Sequence, residues 1–205
     1  LQKDKKIFQM KYALITGSNG LVGLEAVDFF IKKKFKIIAI DNNFRRYFFG
    51  KNADTSWQKK IQIKKFKNKI FHHNIDIRNQ RKITDIFLRY KKKIKCIIHA
   101  AAQPSHDWAY KEPVLDFDIN ARSTLHLLEC TKKYCPLATF IYVSTNKVYG
   151  DTPNKLKIKE RKDRFDLIDG SYKNGISENL SIDTSTHSLF GVSKCSADLL
   201  AQEYG

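Results

Sequence analysis

The chain has 205 residues, enough to bury the core of one domain of ordinary size and too few for two large ones. Its 38 lysines and arginines outnumber its 21 aspartates and glutamates, and the excess is spread along the whole length. No basic recognition helix, zinc-ligand spacing or aromatic RNA-binding signature accompanies this charge, so the composition argues against a nucleic-acid-binding protein. No stretch approaches 18 consecutive apolar residues, which argues against a membrane-spanning helix.

Residues 1–10 carry charges but no apolar signal region, and we interpret them as a disordered N-terminal extension ahead of the first strand. The four cysteines, Cys96, Cys130, Cys135 and Cys195, form no C-x-x-C pair and no metal-ligand spacing. Reduced thiols and no metal site are therefore expected. These features together indicate a soluble, cytoplasmic protein.

Residues 12–23 read YALITGSNGLVG and contain three glycines spaced three apart. Gly17 would permit a sharp turn, Gly20 would let the backbone approach a phosphate, and Gly23 would let a helix pack closely on a strand. The same spacing also occurs by chance in surface loops. The strand-like run before the glycines and the helical spacing of apolar residues over 21–35 favour a phosphate cradle.

Apolar runs of strand length alternate with longer segments of helical spacing. The predicted strands are Lys11 to Thr16, Lys36 to Ile40, Ile70 to Ile75, Lys95 to His99 and Thr139 to Ser144; the predicted helices are Leu21 to Phe35, Asn79 to Lys92, Val114 to Tyr134 and Ser188 to Tyr204. This alternation predicts an α/β domain with a doubly wound parallel sheet and helices on both faces, covering residues 11–205. Its ligand is expected at the carboxyl ends of the strands.

Two segments interrupt the alternation. Residues 42–66 place Phe44, Tyr47, Phe48, Phe49 and Trp57 among basic residues, which suits either a short helix or a loop over the cofactor side. Residues 151–186 are polar, and a loop of this length in a compact domain is usually functional. One interpretation of this second segment is a lid over a substrate.

Two aspartates follow predicted strands. A carboxylate at Asp41, after the second strand, would accept hydrogen bonds from the adenosine ribose and repel a 2′-phosphate, which favours NAD over NADP. A turn formed by Asp41 and Asn42 is the alternative interpretation. Asp76, before Ile77 at the end of the third strand, would either cap a turn or contact the adenine amino group.

Other candidate residues follow later elements. The fourth strand runs into HAAAQ, residues 99–103, whose small side chains leave space for a flat group. Asn120 lies in a predicted helix, where it would face solvent, bend the helix or bind a water. Thr145 follows the fifth strand, and Phe190 and Lys194 share one helix face because they are four residues apart.

Seven sequence features, taken in order, resemble those of the extended short-chain dehydrogenases/reductases, the group of nucleotide-sugar epimerases and dehydratases. They are TGSNGLVG, Asp41, NIDIRN, HAAAQ, DINARST, VSTNKVYG and HSLFGVSK. The resemblance covers residues 11–205 and is strongest to the CDP-paratose 2-epimerases. It implies a Rossmann fold, NAD, a nucleotide-diphosphate sugar substrate with a CDP-sugar favoured, and epimerisation through a keto-sugar. The implied cofactor-binding residues are Gly17, Asn19, Gly20, Leu21, Val22, Gly23, Asp41, Asn42, Asp76, Ile77, Ala100, Ala101, Ala102, Asn120 and Lys194.

The resemblance also implies catalytic roles, and the chain departs from one of them. Thr145 would bond the reacting oxygen, and Lys194 would hold the nicotinamide ribose and lower the pKa of a tyrosine four residues before it. That position is Phe190, which has no proton to exchange. Three interpretations remain open: binding of NAD and sugar without turnover, a replacement base such as His187 or Tyr172, or a subfamily with its own chemistry.

Two residues separate the chain from the dehydratases. Asn146 and Lys147 stand where those enzymes have the Asp-Glu pair that performs the elimination, so epimerisation is favoured over dehydration. Relatives continue with a further strand and a smaller C-terminal domain that binds the nucleotide sugar. Because the chain stops at Gly205, we expect this substrate domain to be absent and the sequence to be truncated.

Relatives often dimerise through the helices that here carry Asn120 and Lys194, which implies a homodimer. The apolar residues compatible with such an interface, and equally with a core, are Leu125, Leu128, Leu199 and Leu200.

Overall fold

Five apolar segments form one parallel sheet in a computed structural model that describes residues 10–168, 170–172 and 174–205. The strands are Tyr12–Thr16 (β1), Lys36–Ile40 (β2), Ile70–His73 (β3), Ile94–His99 (β4) and Thr139–Tyr142 (β5). Their order in the sheet is β3-β2-β1-β4-β5, which confirms the doubly wound α/β prediction. Residues 1–9 of the predicted N-terminal extension lie outside the described residues.

Helices connect the strands and cover the sheet. They are Leu21–Lys32 (α1), Arg45–Phe49 (α2), Ser56–Phe66 (α3), Gln80–Tyr90 (α4), His106–Lys111 (α5), Pro113–Phe117 (α6), Ser123–Tyr134 (α7) and Leu189–Glu203 (α8). The segment 42–66 therefore contains two helices. Helix α5 was not expected, although Ser105 supplies a sequence signal for it: its Oγ accepts a hydrogen bond from Trp108 N at 3.3 Å and caps the helix.

The end of α1 differs from its prediction. Apolar spacing continues to Phe35, but the helix ends at Lys32 and Lys34 adopts a positive φ of 64°. The N–H of Phe35 bonds to Phe30 O and that of Lys34 to Ile31 O, each at 3.0 Å. These two bonds form a Schellman motif, so Phe35 packs beside the helix rather than within it.

The helix predicted over 114–134 is continuous but changes its winding. A wide π-helical turn, Asp118–Arg122, separates α6 from α7, and Ser123 Oγ donates a hydrogen bond to Asp118 O at 2.7 Å. Asn120 lies in this turn and is 1% exposed, so the solvent-facing interpretation of Asn120 is wrong. Isolated π turns of this kind occur frequently at functional sites.

The inner strands β1, β2 and β4 are buried on both faces, whereas β5 at the sheet edge is partly exposed. Alternate side chains of β1 enter different cores: Leu14 packs with the side of α4 and α7, and Ile15 with the side of α1. Phe87 and Leu127 are fully buried in the first core, and Val27 is fully buried in the second. A parallel sheet covered by helices on both faces leaves its strand ends as the place for a ligand.

The segment 151–186 is not structureless. It contains a two-stranded antiparallel hairpin, Ile158–Glu160 (β6) with Phe165–Leu167 (β7), and short 3-10 turns. The segment closes on itself, because Asp151 N donates to Thr186 O at 3.1 Å and Thr186 N donates to Asp151 Oδ1 at 3.0 Å. We refer to this pair of contacts as the neck of the segment.

All four cysteines belong to the described part of the chain and are free. Within residues 10–168, 170–172 and 174–205, no group of three or more His, Cys, Asp or Glu side chains is placed to hold a metal ion. No helix of the described structure has the length and apolar character needed to cross a membrane.

Candidate functional site

The turn between β1 and α1 lies where the sheet order reverses, and two of its glycines are required by packing. Gly17 has a φ of 65°, and a Cβ there would lie 2.8 Å from Ala101 N and 2.9 Å from Ala100 O. A Cβ on Gly23 would lie 2.1 Å from Gly17 O. All three distances are far below ordinary van der Waals contact. The turn can therefore pack against the start of α1 and the loop after β4 only when residues 17 and 23 have no side chain.

Gly20 is constrained differently. A Cβ there would meet only Gly17 O, at 3.3 Å, within the described structure. Gly20 is the N-cap residue of α1 and supplies no side chain to bond the first-turn N–H groups of Leu21 and Val22. Such groups have no intrahelical acceptor and form the positive end of the helix. The first turn of α1 is therefore suited to a phosphate or pyrophosphate.

A cleft opens above these glycines, between the loops that follow β1, β2, β3 and β4; we call it the glycine-loop cleft. It is lined by these residues of the predicted cofactor set: Gly17, Gly20, Leu21, Val22, Gly23, Asp41, Asn42, Asp76, Ile77, Ala100, Ala101 and Ala102. The lining residues that the sequence did not single out are Ile40, Phe44, Arg45, Phe48, Thr55, Ile75, Pro104 and Ile119. The aromatic residues of 42–66 gave a signal for this wall, because one of the two interpretations of that segment was a loop over the cofactor side.

Asp41 faces the glycine turn from the end of β2. Its Oδ2 accepts a hydrogen bond from Asn19 N at 3.0 Å, and its Oδ1 accepts one from Asn43 N at 2.7 Å. The carboxylate therefore holds a local turn, which was one interpretation of this residue, and it also lines the cleft. Its hydrogen bonding to an adenosine ribose stays a prediction. Asn19, itself predicted to bind the cofactor, is 3% exposed and contributes through its backbone.

Asp76 lines the same cleft at the end of β3. Its Oδ2 bonds to Arg78 Nη2 at 2.6 Å and its Oδ1 to Arg78 Nε at 3.0 Å. Burial acts to raise the pKa of Asp76, but the hydrogen bonds and charge of Arg78 outweigh it and hold that pKa below its usual range. The Arg78 guanidinium also lies 5.2 Å from the centre of the Phe44 ring, so it joins the carboxylate to the aromatic wall.

A fully buried histidine holds the loop that follows β4. His99 Nδ1 lies 2.7 Å from Thr16 Oγ1, and His99 Nε2 lies 2.9 Å from Thr124 Oγ1. Thr16 Oγ1 accepts from Ala101 N at 3.1 Å, while Thr124 Oγ1 donates to Asn120 O at 2.6 Å. These partners assign the proton of the neutral ring to Nε2. Burial, with the charge of Lys194, lowers the pKa of His99 to about 3, so the ring is neutral.

A second buried cluster, the Asp116 network, joins the loop after β4 to α8; its members are Gln103, Asp116, Asn120 and Ser193. Asp116 Oδ1 accepts from Gln103 Nε2 at 2.7 Å and from Asn120 Nδ2 at 3.0 Å, and Asp116 Oδ2 accepts from Ser193 Oγ at 2.5 Å. Asn120 Oδ1 accepts from Gln103 N at 2.9 Å. The side-chain amide of Asn120 is thus used inside the protein rather than in the glycine-loop cleft.

The Asp116 network was missed in the sequence. Its only signal was an acidic residue among apolar ones in PVLDFDIN. Asp116 is 1% exposed, and burial raises the pKa of its carboxyl, although hydrogen bonds from Ser193 and Gln103 and the charges of Lys194 and His106 oppose the shift.

Lys194 and Thr145 both lie near the end of β5, and neither lines the glycine-loop cleft. Lys194 is 4% exposed, and its Nζ donates to Val143 O at 2.7 Å and lies 4.2 Å from the centre of the Tyr142 ring. Burial lowers the pKa of Lys194 to about 8, with Asp198 and Asp116 opposing the shift. Thr145 lines a separate cleft between the end of β5 and α8.

Phe190 is 7% exposed and lies one turn before Lys194 on α8. Its ring contacts His106 at 5.1 Å between ring centres, with the planes inclined at 67°. The two replacement bases considered from the sequence lie elsewhere. His187 bonds through Nε2 to Ile182 O at 3.1 Å and its Nδ1 is buried. Tyr172 lies in the 3-10 turn Gly170–Tyr172 of the long segment.

Comparison with known proteins matches residues 13–205 to the NAD dependent epimerase/dehydratase family. The chain is 33% identical over 191 residues to the CDP-paratose 2-epimerase of Salmonella typhi, covering 93% of this chain and 52% of that relative. The chain thus spans about half the length of this relative.

Solved structures share the fold. The UDP-Glc/GlcNAc 4-epimerase of Campylobacter jejuni superposes with a TM-score of 0.70 at 18% identity, covering 95% of this chain and 49% of that one. The UDP-glucose 4-epimerase of Bifidobacterium longum, solved in complex with NAD+ and UDP, gives a TM-score of 0.65 at 20% identity over 94% of this chain and 51% of that one.

Proposed function

The chain belongs to the NAD dependent epimerase/dehydratase family, and we propose that within it the protein is an NAD-dependent nucleotide-sugar epimerase of the CDP-paratose 2-epimerase type. The observation that carries this proposal is the glycine-loop cleft, where a turn that tolerates no side chain at Gly17 or Gly23 meets the carboxylate of Asp41. The similarity to a CDP-paratose 2-epimerase over 93% of the chain supports a CDP-sugar as the substrate.

The residues present fit a dinucleotide. The first turn of α1 would hold the pyrophosphate, and Asp41 would accept hydrogen bonds from the adenosine ribose. Asp76, Ile77 and the aromatic wall around Phe44 would enclose the adenine, and the small residues 100–102 would leave room for the nicotinamide. When bound, NAD accepts a hydride from the sugar and returns it, which allows inversion at one carbon without net oxidation.

Epimerisation is preferred over dehydration because of the residues after Thr145. Asn146 and Lys147 begin the 3-10 turn Asn146–Tyr149 and offer no carboxyl group for an elimination. A Cβ on Gly191 would lie only 2.8 Å from Lys147 O. This turn therefore packs directly on α8. We propose that Thr145 bonds the reacting oxygen and that segment 151–186, whose neck adjoins this turn, covers the sugar.

The proposal is tested with the full-length natural protein that contains this sequence. CDP-paratose labelled with deuterium at carbon 2 is incubated with the protein and NAD, and the sugar is followed by NMR. The expected result is the carbon-2 epimer with deuterium retained, because the hydride returns to the carbon from which it came. Unchanged sugar together with no reduced cofactor would contradict the proposed epimerase.

Phe190 favours a second candidate function, binding of NAD and a nucleotide sugar without turnover. Loss of a general base costs about two to four orders of magnitude in rate. The two candidates differ in one measurement: a binding module raises its melting temperature with NAD and CDP-paratose yet leaves the label in the original epimer. Replacement by Phe190→Tyr then gives a large gain in turnover only if the chain lost its base.

We further propose a homodimer through α7 and α8. Leu199 is 49% and Leu125 37% exposed, whereas Leu128 is 3% exposed and belongs to the core. Multi-angle light scattering on the wild type and on Leu199→Glu tests this assembly, with a shift from dimer to monomer expected for the variant.

A further inference from the structure

We propose that His106 performs the proton transfer that a tyrosine at position 190 would otherwise perform. The proposal rests on the contact between the His106 and Phe190 rings, whose centres lie 5.1 Å apart. This inference rests on the proposed function, since it assigns a residue to that same reaction.

The position of His106 follows from the loop that precedes it. Ala100, Ala101, Ala102 and Pro104 all line the glycine-loop cleft, and His106 comes two residues after Pro104. His106 is exposed, so its ring is accessible from outside the protein. Phe190, by contrast, is buried and carries no exchangeable proton.

The Asp116 network sets this position relative to α8. Gln103 holds both backbone groups of Ser105, accepting from Ser105 N at 2.5 Å and donating to Ser105 O at 2.7 Å. Gln103 also bonds to Asp116, which bonds to Ser193, the residue before Lys194. A continuous buried chain of hydrogen bonds therefore runs from the residue before His106 to the helix that carries Phe190 and Lys194.

Histidine is the side chain most often used for proton transfer near neutral pH, which suits this role. Among the aromatic contacts of the described residues, the ring beside Phe190 is that of His106. His187, the rival base, has an Nδ1 that is buried without a hydrogen-bond partner among the described residues and an Nε2 held by Ile182 O, so neither nitrogen is open to a substrate.

His106 would take up a proton in the oxidative half of the reaction and release it in the reductive half. In the oxidative half, the O–H bond of the reacting sugar hydroxyl breaks and its proton passes to an unprotonated nitrogen of His106. The C–H bond of the same carbon breaks, its hydride passes to NAD, and a C=O bond forms. In the reductive half the hydride returns to the opposite face of that carbon, and the imidazolium returns the proton to the oxygen.

The test compares His106→Gln, His187→Gln and His126→Gln in the full-length natural protein with NAD and CDP-paratose. His126 lies on α7, where its Nε2 is 3.0 Å from Gln80 O, and serves as the control. We expect His106→Gln to lower turnover by about two to four orders of magnitude, with both other variants within about threefold of the wild type. Adding Phe190→Tyr to His106→Gln should restore at least about tenfold.

A second readout does not depend on turnover. Diethyl pyrocarbonate modifies accessible imidazoles, and peptide mass spectrometry reports each histidine separately. Modification of His106 should slow at least about fivefold when NAD and CDP-paratose are present, while that of His126 should not change.

The outcomes separate the two proposals. Turnover that survives His106→Gln, or a His106 that CDP-paratose does not shield, overturns the His106 assignment and leaves the epimerase intact. A wild-type protein that leaves CDP-paratose unchanged overturns both.

Discussion

The hydroxyl of Ser193 donates a hydrogen bond of 2.5 Å to Asp116 Oδ2, and this bond joins the helix of Lys194 to the π turn and to the loop after β4. Ser193 and Asp116 are each only 1% exposed. Gln103 and Asn120 both donate to Oδ1, whereas Ser193 is the donor that the described residues supply to Oδ2. Loss of the Ser193 hydroxyl therefore leaves Oδ2 as an acceptor that water cannot reach.

Ser193→Ala tests the energetic weight of this bond. The variant should lower the free energy of unfolding by about 1–3 kcal/mol, because it leaves Asp116 Oδ2 without a partner. Urea denaturation measures the change. Ser196→Ala is the matched control on the same helix, since the Ser196 hydroxyl bonds only to Val192 O within the described structure. A Ser193→Ala variant as stable as Ser196→Ala would show that the bond contributes little.

Gly23→Ala tests the close approach in the glycine turn. A methyl group there would overlap Gly17 O at 2.1 Å, so we expect a loss of about 1–3 kcal/mol in unfolding free energy and no melting-temperature rise with NAD. Gly170→Ala provides the comparison, because a Cβ at Gly170 meets no described atom within 4 Å. Equal stability of the two variants, measured by urea denaturation, would be inconsistent with the packing seen in the turn.

Lys194 makes stability depend on pH in the alkaline range. Its pKa is about 8 in the folded protein against 10.5 in a model peptide, so between these values the unfolded chain binds more protons and stability rises with pH. Relative to Lys194→Met, the wild type should therefore gain up to about 3 kcal/mol as pH rises through this window. Below this pH range, the plots of unfolding free energy against pH for the wild type and for Lys194→Met should run parallel. If the two plots are parallel at every pH, the pKa of Lys194 is not lowered.

Asp41→Asn tests cofactor selection. The variant removes the charge expected to repel a 2′-phosphate, so the ratio of the NADP and NAD dissociation constants should fall by about tenfold, or about 1.4 kcal/mol. Isothermal titration calorimetry with each nucleotide measures this ratio. Asp28→Asn on α1 is the control, since Asp28 pairs with Lys65 at 2.7 Å rather than lining the cleft. Tighter binding of NADP than of NAD by the wild type would contradict the prediction.

The parallel sheet was predictable from sequence because its strands are continuous apolar runs separated by helical spacing. The glycine turn was predictable because its spacing lies within one short stretch, whereas the contact of Gly17 with Ala100 and Ala101 appears only in the structure. Helix ends were harder, as Phe35 shows, because a left-handed residue such as Lys34 ends a helix without changing the apolar pattern.

The Asp116 network and the contact of His106 with Phe190 were not predictable in this way. Their members lie far apart in sequence and meet only when α5, α6 and α8 pack together. No periodicity reports a hydrogen bond between residues 116 and 193. An acidic residue in an apolar helix shows that a buried partner is needed, but not which residue supplies it.

The neck formed by Asp151 and Thr186 also affects which sequence changes the fold can accept during evolution. Because both ends of the excursion are tied to each other, insertions, deletions or wholesale replacement between them need not displace the strand or the helix on either side. The stretch between them can therefore vary without altering the sheet, and the proposed function predicts that sugar preference varies with it.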